Sequence, residues 1–168
     1  MVTFKQLWDN HPTITGDQNP CQTKGVPNYS DQCSIRIGAC LARAGVNVLK
    51  IPKLACCWYH KRSDGHFLRA EELASGLTKC LIGGIKKAQN ITPGNYVTEL
   101  NGKTGIIFFK DYWLRKGERT PSGDHIDLWN GSRLTDSSSY LRIHMNLVIP
   151  GLWSDYKQAK KILFWQVE

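Results

Sequence analysis

The stretch His125–Asp136, with the sequence HIDLWNGSRLTD, decides the fold of the second half of the chain. Its Asn130-Gly131 pair is the preferred two-residue turn of a β-hairpin, because a type I′ turn needs positive φ at both central positions. Counting outward from this turn places His125 opposite Asp136. Opposed residues of an antiparallel pair share one face, with Cβ atoms about 5 Å apart. The stretch therefore predicts a hairpin that brings an aspartate beside a histidine.

Further strand candidates lie on both sides of this hairpin. Thr104–Lys110 (TGIIFFK) is a compact β-branched and aromatic run that predicts a buried strand. Tyr140–Ile149 and Ile162–Val167 have similar composition and are also predicted to be strands. The second half of the chain is therefore expected to form an antiparallel sheet.

The first half of the chain has helical spacing instead. Ser30 is a good N-cap residue, and apolar side chains then recur at helical intervals until Gly45, which predicts a helix over 31–44. A second helix is predicted over 68–81, where glutamates in the first turns suit the helix dipole. Because helices precede an antiparallel sheet, the fold class is α+β in a single domain, residues 1–168.

Composition limits the classes of function. The chain has 168 residues, 41% of them hydrophobic, and a net charge of +8, which suits a polyanionic partner such as nucleic acid, an anionic membrane or cell wall. Its apolar stretches fall short of the roughly 20 residues of a membrane span. Residues 1–11 lack the basic start and apolar middle of a secretory signal. We therefore expect a soluble protein, exported, if at all, by a route that needs no signal peptide.

One thiol is a candidate nucleophile. Cys33 lies near the start of the first predicted helix, where the helix dipole and a neighbouring imidazolium both favour the thiolate form. With Ser30 as N-cap it is the third helical residue, so that its backbone N–H can face a developing oxyanion. It can equally be a small core residue or half of a disulfide. The six cysteines show no repeated CxxC spacing of a zinc site, and we predict neither metal nor cofactor.

The hairpin supplies the partners that a nucleophilic thiol needs. Asp136 can accept the Nδ1 proton of His125 and leave Nε2 as the base. Asp127 competes for this role, but side chains two residues apart stand nearly 7 Å apart along a strand, so Asp136 is preferred. Taken singly, His125 can be an ordinary strand histidine and Asp136 a turn cap. Together with Cys33 they predict a cysteine hydrolase of the papain type.

Two polar segments are expected to line a groove beside Cys33. Lys50–Gly65 and Tyr112–Gly123 are long and adjoin the elements that carry the predicted triad. Their basic side chains are expected to meet carboxylates of an anionic substrate. The substrate-binding candidates are Trp58, Lys61, Arg62 and Asp124. Trp58–Arg62 also interleaves aromatic and basic residues, as a nucleic-acid-binding module would.

Several motifs together resemble those of a known family. They are Gln32–Arg36 (QCSIR), Lys103–Ile107 (KTGII), Asp124–Gly131 (DHIDLWNG) and the eleven-residue spacing from His125 to Asp136. This set resembles the type VI secretion amidase effectors, family four, of the papain-like NlpC superfamily. The resemblance implies an NlpC-type fold and a triad of Cys33, His125 and Asp136.

The resemblance also implies a substrate and partners. These are the γ-D-glutamyl to meso-diaminopimelate bond of peptidoglycan stem peptides, a cognate immunity protein and the type VI secretion apparatus. The protein would act in the periplasm of a rival Gram-negative cell, with neither nucleic acid nor membrane as partner. Two other functions stay open, namely another papain-like wall hydrolase of phage or housekeeping origin and a non-catalytic basic binding module.

Overall fold

Short helices and two antiparallel sheets make up the described part of the chain. The computed structural model describes residues 1–113, 119–136 and 156–168. The helices are α1 (Phe4–Asn10), α2 (Cys33–Arg43), α3 (Ala70–Lys79) and α4 (Tyr96–Glu99). The strands are β1 (Gln22–Thr23), β2 (Val26–Pro27), β3 (Gln89–Ile91), β4 (Gly105–Trp113), β5 (Gly123–Trp129) and β6 (Lys161–Gln166).

The main sheet has four strands in the order β3-β6-β4-β5, and each neighbouring pair is antiparallel. Side chains of β4, one of the two inner strands, alternate between two apolar clusters. Ile106 and Phe108 join the cluster that contains α2 and α3, whereas Ile107 and Phe109 join the one around Tyr96. The helices and this antiparallel sheet confirm the predicted α+β class. Strand β5 lies at one edge of the sheet and contacts α2.

The predicted elements agree with most of the observed ones. The helix expected over 68–81 is α3, and the strands expected at Thr104–Lys110 and Ile162–Val167 are β4 and β6. The strand expected at Tyr140–Ile149 falls outside the described residues. None of the helices in the described part of the chain has the length and apolar character that crossing a bilayer requires.

Helix α2 starts later than predicted and ends as predicted. Its N-cap is Gln32 rather than Ser30, so Cys33 is the first helical residue and not the third. At the other end Gly45 has a φ of 81°, and its N–H bonds to the carbonyl of Ala42. Glycine adopts this left-handed conformation at little cost, which is why it ends the helix there.

The hairpin register predicted from Asn130-Gly131 is wrong. A two-residue turn would pair Trp129 with Ser132, but Trp129 pairs with Leu134. The side-chain oxygen of Asn130 accepts hydrogen bonds from the backbone N–H groups of Ser132 (3.1 Å) and Arg133 (2.9 Å). This capped, wider turn replaces the type I′ turn, because the Asn130 side chain supplies an acceptor inside the loop.

The wider turn moves the predicted catalytic acid. Extending the register from Trp129 and Leu134 puts Asp136 opposite Asp127 rather than opposite His125. Asp136 is exposed, at the end of the described segment. The pairing from which a role for Asp136 was inferred is therefore absent from the described residues of this hairpin.

Candidate active site

Cys33 stands at the first position of α2 and is buried, with 6% of its surface exposed. Its backbone N–H donates to the Oδ1 of Asp31 (3.1 Å). The N–H that was expected to face an oxyanion is therefore engaged by this carboxylate. The thiol still lies in the first turn of the helix, where the dipole favours a negative charge.

The residue before Cys33 fixes how the chain enters α2. The Gln32 side chain is buried and bonds the backbone of Cys21 in both directions, accepting from its N–H (2.9 Å) and donating to its carbonyl (3.0 Å). It also donates to the carbonyl of Tyr29 (3.1 Å). These bonds tie the irregular N-terminal arm to the start of the helix and so hold Cys33 in place.

His125 brings its imidazole to this thiol from β5. It pairs with Phe109 across the sheet, and its side chain is about one-fifth exposed, at 21%. The rings of Tyr112 and Tyr156 lie 6.3 Å and 6.1 Å from it, centroid to centroid. The imidazole therefore has packed aromatic walls and contacts the thiol of Cys33 at the site.

The carboxylate beside His125 is that of Asp127. Its Oδ2 lies 3.6 Å from the Nε2 of His125, much closer than the spacing of nearly 7 Å along the strand that led us to prefer Asp136. The two residues alternate with Ile126 on one strand and share a face, and their side chains lean together. Nε2 of His125 therefore faces Asp127, whereas the predicted orientation turned Nδ1 toward the acid.

Asp127 is buried and held in one orientation by hydrogen bonds. Its Oδ1 accepts from the Thr135 hydroxyl (2.7 Å) and the Leu128 N–H (2.7 Å), and its Oδ2 from the Thr135 N–H (3.3 Å). Thr135 reaches it because of the wider turn after β5. A buried carboxylate needs such donors, since an unpaired buried charge is costly.

Burial and pairing act in opposite directions on the two titrating groups. Burial favours neutral His125, but the phenol of Tyr112 and the contacts with Asp127 and Cys33 outweigh it and raise the pKa well above its usual value. Burial likewise raises the pKa of Asp127, but His125 and the bond from Thr135 outweigh it and lower the pKa overall. The raised pKa of His125 and the lowered pKa of Asp127 both favour an imidazolium beside a carboxylate.

His11 is a further buried histidine at this site, which the sequence analysis did not single out. Its Nδ1 accepts from the N–H of Thr13 (3.2 Å), which leaves the proton on Nε2, 3.6 Å from the Oδ1 of Asp127. Burial lowers the pKa of His11 to about 4, so it is neutral at pH 7. The isolated position of His11 in sequence carries no signal of this contact.

Cys33 opens onto a groove of about 800 Å³. One wall is the segment 68–72 at the start of α3, and the other contains Asp111, Trp113, Ser122 and Asp124. The predicted wall Tyr112–Gly123 is thus present in part. The prediction that Lys50–Gly65 forms a wall is wrong, because no residue of this described segment lines the groove.

Three of the four substrate-binding candidates lie away from this groove. Trp58 is 91% exposed, and Lys61 is exposed with its N–H bonded to Asp64. The guanidinium of Arg62 donates to the carbonyl of Leu54 (2.9 Å) within its own loop. Arg62 therefore holds the loop together, and its charge is directed inward.

Asp124 is the candidate that lines the groove. It is half-buried and accepts from the N–H of Asp111 (2.9 Å). Burial raises its pKa, and the neighbouring charge of Glu71 adds to this effect. Across the described lining, five acidic residues face one arginine, so the groove is acidic where basic walls were expected.

A second cluster of titratable side chains lies outside the groove. Cys21, Cys57, His60 and His66 bring their ligand atoms within 4.8 Å of one another. The six cysteines lack repeated CxxC spacing, so a zinc site was not expected from the sequence. The available signal was the segment Cys57–His66, which holds three of the four residues; the fourth, Cys21, is distant in sequence.

Two solved structures share the fold. The effector and immunity system Tae4/Tai4 from Salmonella typhimurium aligns with a TM-score of 0.63 and 17% identity, covering 100% of this chain and 99% of that chain. The type VI effector Tae4 from Enterobacter cloacae aligns with a TM-score of 0.60 and 18% identity, covering 100% and 98%. These matches confirm the predicted papain-like, NlpC-type fold.

A search of curated protein sequences finds no match. A sequence model of the family described as "Type VI secretion system (T6SS), amidase effector protein 4" matches residues 29–165. This span is most of the chain and contains Cys33, His125 and both aspartate candidates. The chain therefore belongs to the family of type VI secretion system amidase effectors, family 4.

Proposed function

We propose that Cys33 and His125 are the nucleophile and base of this amidase, with Asp127 as the residue that orients the base. The observation that carries the proposal is the meeting of three groups beside the groove onto which Cys33 opens. The thiol contacts the imidazole of His125, whose Nε2 lies 3.6 Å from Asp127. A thiol, an imidazole and a carboxylate that contact one another in this order are the catalytic groups of a cysteine hydrolase.

The chemistry follows from these positions. Cys33 gives its proton to His125, and the thiolate attacks the carbonyl carbon of the scissile amide. The imidazolium protonates the leaving amine, which departs and leaves a thioester on Cys33. His125 then takes a proton from water, and the hydroxide attacks the thioester. The products are a carboxylate and the regenerated thiol.

Asp127 supports this cycle by holding the ring of His125. Its bonds from Thr135 and Leu128 leave the carboxylate little freedom, so it fixes the tautomer and stabilises the imidazolium. Asp136 remains a second candidate for this role, on the strength of its spacing from His125. Variants of the two aspartates distinguish the candidates.

The substrate we propose is the γ-D-glutamyl to meso-diaminopimelate bond of peptidoglycan stem peptides. The amine released from this bond belongs to diaminopimelate, which carries a second amino group. The acidic lining of the groove supports the binding of such a cation. Glu71 pairs with Lys110 and Glu72 with Arg69, whereas Asp124 accepts from a backbone N–H. Asp111 pairs with Lys160, and Asp31 accepts from the backbone N–H of Cys33. Of Asp31 and Asp124, which both accept from backbone N–H groups, we assign Asp124 to the substrate ammonium.

The proposed partners follow from this activity. An effector delivered by type VI secretion would meet stem peptides in the periplasm of the target cell. A producer that makes this amidase needs protection, and we propose a cognate immunity protein that covers the groove beside Cys33. One relative of the same fold was solved as an effector and immunity system, which supports this expectation.

Digestion of purified sacculi tests the proposed function. We expect the wild-type chain to release peptides with a new diaminopimelate amino terminus, and Cys33→Ala and His125→Ala to release none. Cys80→Ala is the matched control, since Cys80 lies outside the groove lining and should leave activity unchanged. Iodoacetamide should abolish release in the wild type. Sacculus binding without fragment release would instead favour a non-catalytic binding module.

A further inference from the structure

The cluster of Cys21, Cys57, His60 and His66 has the contents of a metal site. Two thiols and two imidazoles converge there: Cys57, His60 and His66 come from one short segment, and Cys21 joins them from the arm that precedes α2. Cys21, Cys57 and His66 are buried and His60 is half-buried. Four such groups at one buried point are the ligand set of a Cys₂His₂ site.

Distances within the cluster fit one small ion. The Nδ1 of His60 lies 3.1 Å from the Sγ of Cys57 and 3.7 Å from the Sγ of Cys21. The Nδ1 of His66 lies 3.9 Å from the Sγ of Cys57. Around a tetrahedral zinc ion, Zn–S and Zn–N bonds of about 2.3 and 2.0–2.1 Å separate ligand atoms by about 3.3–3.8 Å. The four ligand atoms therefore need to move little to bind it.

We propose that Cys21, Cys57, His60 and His66 bind one structural zinc ion. Sulfur and imidazole ligands in tetrahedral number favour zinc over the hard cations magnesium and calcium, which take oxygen ligands. Binding replaces the two thiol protons, which pass to solvent, and the ion neutralises the two thiolates. Four protein ligands leave no position for substrate or water, so the site is structural.

A neighbouring side chain supports a thiolate at Cys21. The side-chain amide of Asn28 donates to the Sγ of Cys21 (3.5 Å). Hydrogen bonds from outside the ligand set commonly orient metal ligands in this way. The bond comes from the short β1-β2 hairpin, so the ion would also fix this hairpin.

The proposed site joins the arm that precedes α2 to the loop after it. Cys21 and Cys57 pack with Ile35, which lies on α2. The backbone of Cys21 is also bonded in both directions by Gln32, the residue before Cys33. Zinc would therefore hold the arm and the loop against the helix that presents the nucleophile, while the ion itself stays outside the groove.

Metal content tests the proposal without any measurement of activity. Protein purified under reducing conditions should contain one zinc ion per chain, measured by elemental analysis over all transition metals. After chelation and reloading, cobalt should give the visible bands of a tetrahedral site and a thiolate-to-cobalt charge-transfer band. Cys57→Ser should lose the bound metal. Cys56→Ser, one residue away and outside the cluster, should keep it.

The main alternative is a disulfide between Cys21 and Cys57. Peptide mapping without reductant detects it, and a disulfide in fresh protein that carries no metal would overturn the proposal. So would a reduced, folded chain that takes up neither zinc nor cobalt, or equal loss of metal from Cys56→Ser. If Cys57→Ser does not fold, the cobalt spectrum of the wild type decides, because thiolate charge transfer requires cysteine ligands.

Discussion

The Oδ2 of Asp127 lies 3.6 Å from the Nε2 of His125, although residues two apart on a strand are separated by about 7 Å along the backbone. The two side chains bridge this separation by leaning together on one face of β5. Thr135 holds the carboxylate through its hydroxyl and its N–H. Strand β5 therefore carries both the base and the orienting acid that we propose.

This relationship predicts unequal roles for two aspartates. Asp127→Asn should lower kcat by on the order of 10² to 10⁴ with KM little changed, because the orienting carboxylate is lost. Asp136→Asn should lower kcat by less than roughly tenfold. Steady-state kinetics of both variants on one muropeptide substrate make the comparison. If Asp136→Asn lowers kcat strongly and Asp127→Asn does not, the orienting acid is Asp136 and not Asp127.

The same contact predicts the titration of His125. The pKa of His125 is raised, so its imidazolium persists as the pH rises and is lost only above that raised value. Asp127→Asn removes one cause of the rise, and the pKa of His125 should fall. NMR titration of the imidazole Cε1–H in the wild type and the variant measures this shift. An unchanged pKa in Asp127→Asn would mean that the carboxylate does not act on the ring.

The sequence predicts where the candidate site residues lie in the fold better than it predicts their contacts. Cys33 does lie at a helix start and His125 on a strand, because both placements depend on local patterns along the chain. The acid was assigned by counting from Asn130-Gly131, and this count fails because the Asn130 side chain accepts from two backbone N–H groups and widens the turn. The pattern of residue types along the sequence does not indicate these two hydrogen bonds.

The walls of the groove were harder to predict for a similar reason. Charge and polarity in Lys50–Gly65 suggested a binding loop, but Arg62 bonds to carbonyls of Leu54 and Ile51 and to the sulfur of Cys56. The Arg62 guanidinium thus stabilises its own loop and does not point into the groove. The metal-ligand cluster was missed because Cys21 and Cys57 meet only in the folded chain.

Acid should destabilise the protein through His11. Its folded pKa is about 4 against 6.5 unfolded, so between these values the unfolded state binds a proton that the folded state does not. Stability from this group is full above pH 6.5 and falls by about 3 kcal/mol on reaching pH 4. Urea unfolding at pH 7.5 and pH 4.5 should show a smaller difference for His11→Gln, and an equal difference would exclude this cause.

Asp124 should contribute to substrate binding where Lys61 does not. Asp124→Asn should raise KM roughly fivefold to tenfold for stem peptides with a free diaminopimelate ammonium, with kcat little changed. The effect should vanish on the N-acetylated peptide, because the cation is then absent. Lys61→Ala is the control, since Lys61 is exposed outside the groove lining. An equal rise in KM on both peptides would remove the ammonium contact from the explanation.

Gly38 and Gly65 approach each other so closely that a side chain at Gly38 should destabilise the protein. A Cβ added to Gly38 of α2 would stand 1.9 Å from the carbonyl oxygen of Gly65, which is backbone and cannot turn aside. Gly38→Ala must therefore push the loop that carries Cys57 and His66 away from the helix.

We expect Gly38→Ala to lower the free energy of unfolding by about 3 kcal/mol, measured by urea denaturation. Gly94→Ala is the matched control, because a Cβ there meets nothing within 4 Å, and it should change stability by less than about 0.5 kcal/mol. If Gly38→Ala were as stable as Gly94→Ala, the helix and the loop would not be packed backbone to backbone. In that case the arrangement that sets α2 against the candidate metal ligands would have to be abandoned.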